Sequence, residues 1–341
     1  MPSLRKLAEL AGVAPSTVTR ALRDDPRIGA ETRTRIQALA AQYHYLPNRL
    51  TQSLMTGRSQ TIGVLLPSVV TPYSARLLSG VLRQAGAAGF RVLIQESGYQ
   101  LAHSLAAIQM LIEQRVDGVL LDCGHLEPIP RKTILELRGH RVIPVGLDST
   151  LFDGEVDHVH TDELALATQA VDYLVQLGHR HIAFVGQTEH GRLVGRGRYI
   201  FKALQKRLLP TRYFFDTRAK PPYDSLLSGE LLEQMLTATP APTAIIAWED
   251  PIAAMLLKAA ARLGRHAPRD FSILGFGNLS FSPLTTPALT TFEQHPEQVG
   301  QQAFDLFLAR LEEDDPDTAA PPRSIAVRPT LLKRESCAPP S

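Results

Sequence analysis

Apolar residues recur at helical spacing along the beginning of the chain. Leu4, Leu7 and Ala8 occupy positions i, i+3 and i+4, which predicts a short amphipathic helix with Ser3 as its N-cap. A second short helix is predicted to begin at Pro15, which suits a first helical turn. The third helix covers about residues 30–43, and the inward positions of the second and third helices are Val18, Ala21, Leu22, Ile36, Leu39, Ala40 and Tyr43. Three short helices around one small core are therefore expected.

The outward face of the second helix carries hydroxyl groups and cations and no acid. A tight turn containing Gly12, which can adopt a positive φ, connects this helix to the first. Two short helices joined in this way form a helix-turn-helix, whose second helix enters the major groove of DNA. This face would present Pro15, Ser16, Thr17, Thr19 and Arg20. A helical bundle without a DNA-binding role would show the same apolar pattern, and on the pattern alone this alternative stays open.

Beyond residue 59 the pattern changes to apolar strands that alternate with helices. One series of strand and helix patterns covers residues 62–66, 74–88, 91–95, 103–114, 116–121, 131–138 and 142–147; the second covers 157–160, 162–177, 181–185, 193–207, 244–248, 251–263 and 271–275. Strands alternating with helices at this spacing predict parallel, doubly wound sheets. The expected fold is therefore a small all-α head followed by two α/β lobes that face each other across a cleft.

A short segment at residues 47–58 joins the head to the lobes. Pro47 and Asn48 open it and Gly57 closes it, so at most two to three helical turns fit, fewer than the roughly 12–15 residues that an isolated helix needs in water. We therefore predict a hinge helix that forms only conditionally. The predicted domains are a head at 1–46, the hinge at 47–58, the two-lobed domain at 59–335 and a disordered tail at 336–341.

Charge is distributed unevenly between the head and the lobes. Residues 1–60 carry nine Lys or Arg and four Asp or Glu, a net charge of +5, although all 341 residues together carry only +2. A concentrated positive charge is what phosphate neutralisation requires. The two cysteines indicate neither a disulfide framework nor a thiolate metal site. Without an apolar run long enough for a membrane span or a signal peptide, a cytoplasmic location is expected.

Polar residues follow the predicted strands at their carboxyl ends. In open α/β sheets, ligands bind beyond the carboxyl ends of the strands. The candidate effector-binding residues at these ends are Tyr73, Ser74, Asp148, Arg196, Trp248, Asp250 and Asn278. Because a guanidinium fork matches a carboxylate bidentately, Arg196 favours a polyol that bears a carboxylate. The alternative is that Arg196 is an ordinary surface cation.

The sequence resembles the LacI family of bacterial transcription regulators. The resemblance is carried by residues 7–22, by Glu31-Thr32-Arg33, by Tyr45-Leu46-Pro47-Asn48 and by residues 61–67, and it extends to about residue 332. It implies a helix-turn-helix head, a hinge helix and an α/β effector domain of two doubly wound parallel-sheet lobes shaped like a periplasmic sugar-binding protein. It also implies at least a homodimer on double-stranded operator DNA; since no heptad-rich extension follows Leu332, a dimer suffices.

The resemblance assigns roles to individual positions of the head and hinge. Pro15, Ser16 and Arg20 fall where the family contacts base edges, whereas Thr17 and Thr19 fall on phosphate-contacting positions. Asn48 and Leu54 are the DNA-binding positions of the hinge, and Leu54 would insert into the minor groove and kink the duplex. Four residues depart from the family pattern, mainly at helix ends: Lys6, Ala14, Gly29 and His44. Lost caps should loosen the free head without removing its DNA-contacting face.

The same resemblance bears on the effector. Gly277 stands where many sugar-responsive members carry Asp, so one ligand of a sugar hydroxyl is missing. The gluconate-regulator branch is resembled by residues 65–68, 98–100, 275–278 and 286–291. A sugar acid is therefore expected ahead of a neutral sugar.

No catalytic or metal-binding set emerges from the sequence. His158 and His160 alternate on a strand without a third ligand, and Cys123-Gly124-His125 is isolated. Gly275-Phe276-Gly277 lacks the rest of a dinucleotide fingerprint. We therefore expect no cofactor and no enzyme activity. The expected function is a ligand-responsive repressor of carbohydrate or sugar-acid genes; a solute-binding protein for uptake is the main alternative.

Overall fold

The computed structural model describes residues 3–22, 24–45, 57–122, 129–148, 154–186, 188–189, 192–193, 195–216, 233–235, 237–313 and 321–340. The chain separates into two compact units, residues 1–60 and 61–341. The predicted boundary between head and hinge falls outside the described residues and stays a prediction.

Three helices form the head: α1 (Leu4–Ala11), α2 (Pro15–Ala21) and α3 (Ala30–Gln42). The Ser3 hydroxyl accepts the Lys6 N–H at 3.2 Å, and Gly12 ends α1 in the left-handed region at φ 63°. Neither α2 nor α3 has a side-chain cap, as Ala14 and Gly29 at these positions predict.

The end of α3 differs from the prediction. Tyr43 was predicted to face the core, but the helix ends at Gln42 and Tyr43 is exposed. Tyr45 packs against the core instead. Between them His44 adopts φ 47°, a left-handed conformation that a residue with a Cβ adopts only at a steric cost.

Lobe 1 is built on a parallel sheet with the strand order β13-β5-β4-β3-β1-β2. Its strands are β1 (Thr61–Leu66), β2 (Arg91–Glu96), β3 (Gly118–Leu121), β4 (Ile143–Leu147), β5 (Asp157–Thr161) and β13 (Ser324–Val327). Its helices are α4 (Pro72–Ala87), α5 (Leu101–Glu113), α6 (Arg131–Gly139) and α10 (Pro296–Glu312). One core lies between the sheet and α4 and α10, and a second lies on the opposite face beneath α5 and α6.

Lobe 2 repeats this architecture with the strand order β14-β12-β11-β10-β6-β9, in which only β14 is antiparallel to its neighbour. Its strands are β6 (Ile182–Gly186), β9 (Phe214–Asp216), β10 (Ala244–Ala247), β11 (Ser272–Phe276), β12 (Thr290–Glu293) and β14 (Thr330–Leu332). Its helices are α7 (Glu163–Gln176), α8 (Gly195–Lys206) and α9 (Asp250–Arg262), and a small hairpin pairs β7 (Thr188–Glu189) with β8 (Arg192–Leu193).

The chain crosses between the lobes after β5, after β12 and after β13. At the second crossing, α10 leaves lobe 2 and packs against α4, β4 and β5 of lobe 1. Glycines allow this close approach: a Cβ on Gly80 would lie 2.1 Å from the Glu297 carbonyl oxygen, and one on Gly300 would lie 2.2 Å from the Leu77 carbonyl oxygen. Neither α10 nor β12 was predicted from the sequence, although both help to form the lobes.

Residues 336–340 of the predicted disordered tail are ordered in the structure. Ser336 is fully buried and its hydroxyl accepts the Thr290 N–H at 2.8 Å, while Ala338 donates its N–H to Ser272 at 3.0 Å. His179 contacts the Ala338 carbonyl oxygen at 3.0 Å. The prediction was wrong because it relied on composition, whereas polar groups at the beginnings of β11 and β12 bind this segment. Within the described residues, none of the helices has the length and apolar character that crossing a membrane would require.

Candidate functional site

The outward face of α2 is available to a partner. Pro15, Ser16 and Arg20 are exposed, and Thr17 and Thr19 are half-buried. The Thr19 hydroxyl donates to the Pro15 carbonyl oxygen at 3.1 Å, so it stays on the helix surface. These five positions therefore lie together on one helix, as predicted. Asn48 and Leu54 lie outside the described residues, and their roles stay predictions.

Two arginines near this face differ in their partners. Arg27 binds Asp25 at 2.7 Å, and this bond lowers the pKa of the Asp25 carboxyl to about 2. Arg20, in contrast, has no ion-pair partner at salt-bridge distance among the described residues. A guanidinium without a partner keeps its donor fork for a guanine edge or a phosphate.

The wall of the cleft in lobe 1 is built around Asp148. Its carboxylate accepts the Thr161 N–H at 2.9 Å and the Thr161 hydroxyl at 3.0 Å. The Tyr73 hydroxyl lies 3.5 Å from the Thr161 hydroxyl. Burial raises the pKa of the Asp148 carboxyl and also raises that of Tyr73. Tyr73 and Asp148 therefore meet as predicted, and the predicted ligand Ser74 is buried beside them on α4.

Several residues at strand ends adopt the left-handed conformation. Tyr99 follows β2 at φ 62°, Asp148 follows β4 at φ 45°, Asn278 follows β11 at φ 46° and His295 follows β12 at φ 54°. Such backbone conformations cost roughly 1–3 kcal/mol each and persist where the surrounding structure enforces them. The strand ends are thus held in fixed, strained turns, which is typical of a preorganised site.

The wall in lobe 2 is organised by Arg196 in the first turn of α8. The guanidinium fork donates to both carboxylate oxygens of Glu163 at 2.7 and 2.9 Å. A third donor bonds the Trp248 carbonyl oxygen at 2.7 Å, and the guanidinium carbon lies 4.4 Å from the centre of the Phe276 ring. Arg196 is therefore buried rather than a surface cation. In this structure Glu163 occupies the guanidinium fork that was expected to suit an effector carboxylate, and the role of Arg196 as an effector ligand stays a prediction.

Trp248 lies beside Arg196 and is only half-buried. Its ring packs against Phe184 at 6.3 Å between centroids. Gly195 makes room for it, since a Cβ at this position, with φ 46°, would come within 2.9 Å of the indole. Trp248 thus presents an aromatic surface at the end of β10.

Asp250 supports the site from within. It is fully buried, and its carboxylate accepts the Thr291 hydroxyl at 2.6 Å, the Ser282 hydroxyl at 2.5 Å and the Leu279 N–H at 3.1 Å. These bonds hold the end of β11 and the loop after it against α9. Its predicted contact with an effector is untested, but its oxygens are already engaged by protein donors.

Asn278 is likewise engaged by protein groups. Its amide donates to Glu293 at 2.9 Å, and its carbonyl oxygen accepts from Arg334 at 2.7 Å. Glu293 also binds Arg76 of lobe 1 at 3.1 Å, and Arg76 donates to the Gly277 carbonyl oxygen at 3.1 Å. Asn278 therefore belongs to a network that ties the two lobes together, and its role as an effector ligand stays a prediction.

Four acidic or aromatic residues of the cleft were missing from the predicted site. Asp122 follows β3 directly, Glu249 follows Trp248, Tyr99 follows β2 and Glu163 opens α7. The rule that ligands bind at strand ends would have found the first three if it had been applied to every strand. Glu163 gave no such signal, because its importance comes from its contact with Arg196.

The described residues contain no group of three or more His, Cys, Asp or Glu side chains arranged to hold a metal ion. His158 is instead bonded to Ser324 at 2.9 Å and stacks on His160 with 5.2 Å between ring centres.

Comparison with known proteins gives one family match for the head and another for the lobes. Residues 3–48 match the family described as bacterial regulatory proteins, lacI family, and residues 171–337 match a periplasmic binding protein-like domain. The HTH-type transcriptional repressor PurR of Pectobacterium carotovorum is 29% identical over 342 aligned residues, which cover 99% of this chain and 97% of the relative. PurR of Yersinia pestis is also 29% identical, with 99% and 97% of the two chains covered.

Solved structures agree with this relationship. The Lac repressor dimer bound to operator and the anti-inducer ONPF matches with a TM-score of 0.81 at 23% identity over 99% of both chains. A putative transcriptional regulator of the LacI family from Sanguibacter keddieii matches with a TM-score of 0.68 at 27% identity, covering 82% of this chain and 99% of the other. The order of a helix-turn-helix head before two α/β lobes is thus shared along the chain: the protein combines a DNA-binding head domain of the lacI family of bacterial regulatory proteins with a periplasmic binding protein-like domain, and it is a DNA-binding transcription repressor of the LacI/PurR type rather than an enzyme.

Proposed function

We propose that this DNA-binding repressor uses α2 to recognise a double-stranded operator and the cleft between its lobes to bind a small polyhydroxylated effector. The observation that carries the DNA-binding role is the outward face of α2, on which exposed Pro15, Ser16 and Arg20 lie together without an acid. Such a helix fits the major groove, and Arg20 can bind guanine bidentately. Because operator DNA is the partner, we place the protein in the cytoplasm.

A homodimer is part of this proposal. Leu82 on α4 and Ile94 on the edge strand β2 are 45% and 41% exposed, and Leu284 in lobe 2 is 80% exposed. Large apolar side chains at a sheet edge favour contact with another protein surface. A second copy of the chain would bring two heads to two operator half-sites, and one of the similar structures is that of a repressor dimer on its operator.

The coupling between cleft and DNA would pass through the hinge. An effector that binds one arrangement of the lobes more tightly than another shifts the population toward that arrangement. In a dimer this would change the separation of the two segments at 47–58, which are too short to stay helical alone. Leu54 would then enter the minor groove in one state only. These residues lie outside the described ranges, so the support for this step comes from the sequence.

The effector would occupy the strand ends that Tyr73, Asp148, Arg196 and Trp248 line. Carboxylates that accept hydroxyl donors and an aromatic wall suit a polyol. One similar structure, a transcriptional regulator CelR in complex with cellobiose, has a TM-score of 0.68 at 23% identity. A solute-binding protein would share this cleft, but it would have no use for the basic head.

The DNA-binding proposal is tested with a matched pair of arginine substitutions. Operator sites are first selected from a random duplex library with the full-length protein. We expect Arg20→Met to weaken binding to the selected site by about 1–3 kcal/mol, roughly 5- to 150-fold. Arg27→Met, which removes a cation already paired with Asp25, should cost less. Equal affinities of both variants and wild type in a gel shift would contradict the proposed DNA-contacting face.

A further inference from the structure

Arg196 and Glu163 form one closed pair in the wall of lobe 2. The Nε and one Nη of Arg196 donate to the two carboxylate oxygens of Glu163 at 2.9 and 2.7 Å, so the bond is bidentate. The other Nη donates to the Trp248 carbonyl oxygen at 2.7 Å. The Phe276 ring lies 4.4 Å from the guanidinium carbon and covers a face of the same group. The side chain of Arg196 is only 9% exposed, so these contacts fix the plane of its guanidinium.

Glu163 is held in place by the backbone around it. It is the first residue of α7, where the positive end of the helix dipole favours a carboxylate. The preceding residue, Asp162, caps the helix by accepting the Ala165 N–H at 2.9 Å, and its own N–H donates to the Val327 carbonyl oxygen at 2.9 Å. The Glu163 carboxylate is therefore positioned for Arg196 before any ligand arrives.

A ligand carboxylate gains little from Arg196 while Glu163 holds the fork. Taking the fork would only exchange one carboxylate for another. It would also leave Glu163, which is 26% exposed, with an unpaired charge that is largely removed from water. The ligand would lose translational freedom on binding, whereas Glu163 is already in place. This pairing determines what Arg196 offers, whatever charges the rest of the cleft carries.

Hydroxyl groups avoid this competition. A guanidinium carries five N–H groups, and Glu163 and Trp248 engage three of them. The other two have no acceptor among the residues that the structure describes. A ligand hydroxyl can accept from one of them and donate to a lone pair of the Glu163 carboxylate. Half-buried Trp248 adds an aromatic face for the C–H side of a sugar ring.

We infer that Glu163 is the specificity-determining residue of the cleft: it neutralises the fork of Arg196, so that hydroxyl groups of the effector are recognised there and an effector carboxylate is rejected. This inference rests on the proposed function, since it specifies the chemistry that the proposed effector presents to Arg196. It reverses the expectation from the sequence, in which Arg196 favoured a sugar acid. Because Glu163 acts through Arg196, its substitution changes which ligand is preferred.

The state of the fork can be measured without a ligand. Trp248 is the only tryptophan of the chain, and its ring centre lies 5.9 Å from the guanidinium carbon of Arg196. Fluorescence quenching by iodide, divided by quenching by neutral acrylamide at constant ionic strength, reports how readily an anion approaches. Glu163→Gln should raise this ratio about twofold, since an uncompensated cation at this distance attracts an anion even in salt. Glu136→Gln, exposed on α6, should leave it at the wild-type value. A ratio that Glu163→Gln leaves unchanged would overturn the inference.

Matched pairs of ligands test the specificity itself. The full-length wild-type protein and Glu163→Gln are titrated by calorimetry with glucose and gluconate, with galactose and galactonate, and with ribose and ribonate. The wild type should bind the neutral member of a pair more tightly than the acid. Glu163→Gln should shift the affinity ratio toward the acid by about tenfold or more, because the freed fork then accepts a carboxylate bidentately.

The results of the titrations separate this inference from the proposed function. Tighter binding of an acid by the wild type, or an affinity ratio that Glu163→Gln leaves unchanged, would overturn the role of Glu163 and leave a polyol effector standing. An acid bound only by Glu163→Gln would support the inference. Binding of no member by either protein would overturn the proposed effector, and this inference with it. Operator binding without ligand, measured by gel shift, shows that each variant is folded and tests the DNA-binding proposal separately.

Discussion

Two arginine clusters in the effector domain have similar chemistry but differ in charge balance. Arg76 lies where the lobes meet and binds Glu293 at 3.1 Å and Glu297 at 2.7 Å. Arg334 joins the same network through Asn278, so cations and carboxylates are equal in number within it. Every charge in this cluster has a protein partner. Its role is therefore to hold the second crossing between the lobes.

The Arg196 cluster contains one cation and several carboxylates in the described part of the chain. Glu163 pairs with Arg196, and the charges of Asp148 and Glu249 act on the same guanidinium. A balanced cluster gains stability when it is complete, whereas an unbalanced one stores electrostatic repulsion that a ligand can relieve. The difference separates a structural network from a binding site although both are built from arginine and carboxylates.

The largest change in the free energy of unfolding is expected from Arg76→Met. The substitution leaves Glu293 and Glu297 without their cation, so the free energy of unfolding should fall by about 2–3 kcal/mol. This loss is smaller than that for a fully buried ion pair, because both pairs are partly exposed to solvent. Lys132→Met on the exposed face of α6 should change it by less than about 0.5 kcal/mol. Urea denaturation measures both values. Equal stability of the two variants would show that the Arg76 cluster is not a structural network.

Glu249→Gln should change the free energy of unfolding in the opposite direction and stabilise the protein. Its pKa rises from an ordinary value near 4.5 to about 7, so the folded protein binds more protons than the unfolded chain between these values. The wild-type protein therefore loses stability as the pH rises through this window. The ligand-free variant should be more stable by about 1–3 kcal/mol above pH 7, and equal to wild type near pH 4.5. Thermal unfolding across this range measures the gain, with Glu136→Gln as the control.

Glu293→Gln provides the direct counterpart to Glu249→Gln. The same chemical change in the balanced cluster weakens the bonds to Arg76 and Asn278, so stability should fall by about 1–2 kcal/mol. The sign of the change, measured by urea denaturation, is the test. A gain in stability at both positions would remove the distinction between the clusters.

A smaller pH effect in lobe 2 must be separated from that of Glu249. Burial lowers the pKa of His179, which contacts Thr243 and the docked tail. The folded protein then binds fewer protons than the unfolded chain below the ordinary histidine pKa, so stability should fall as the pH drops below about 6.5. His179→Gln should lose this acid sensitivity, while His140→Gln, at an exposed position, should retain it. If His179→Gln had the same pH profile of the thermal midpoint as the wild-type protein, His179 would not be the cause of the acid sensitivity.

The head and the strand ends were predictable because they depend on local patterns. Helical spacing around Leu7 and Val18 placed α1 and α2, and a glycine at the right offset ended α1. The alternation of strands and helices likewise predicted two parallel sheets, and Asp148 and Trp248 lie at strand ends as expected. The tail was mispredicted because Ser336 and Ala338 are held by partners far away in sequence, which composition does not reveal.

The sequence by itself determined which helix presents hydroxyl groups and a cation, and which residues end the strands, since both follow from periodicity within short segments. Only the tertiary structure decided how those residues are used. It paired Arg196 with Glu163, engaged Asp250 and Asn278 within the protein and brought Arg76 to Glu293 from across the chain. Each of these bonds joins groups that are distant in sequence, and whether a charge is left for a ligand depends on the sum of such pairings rather than on any one segment.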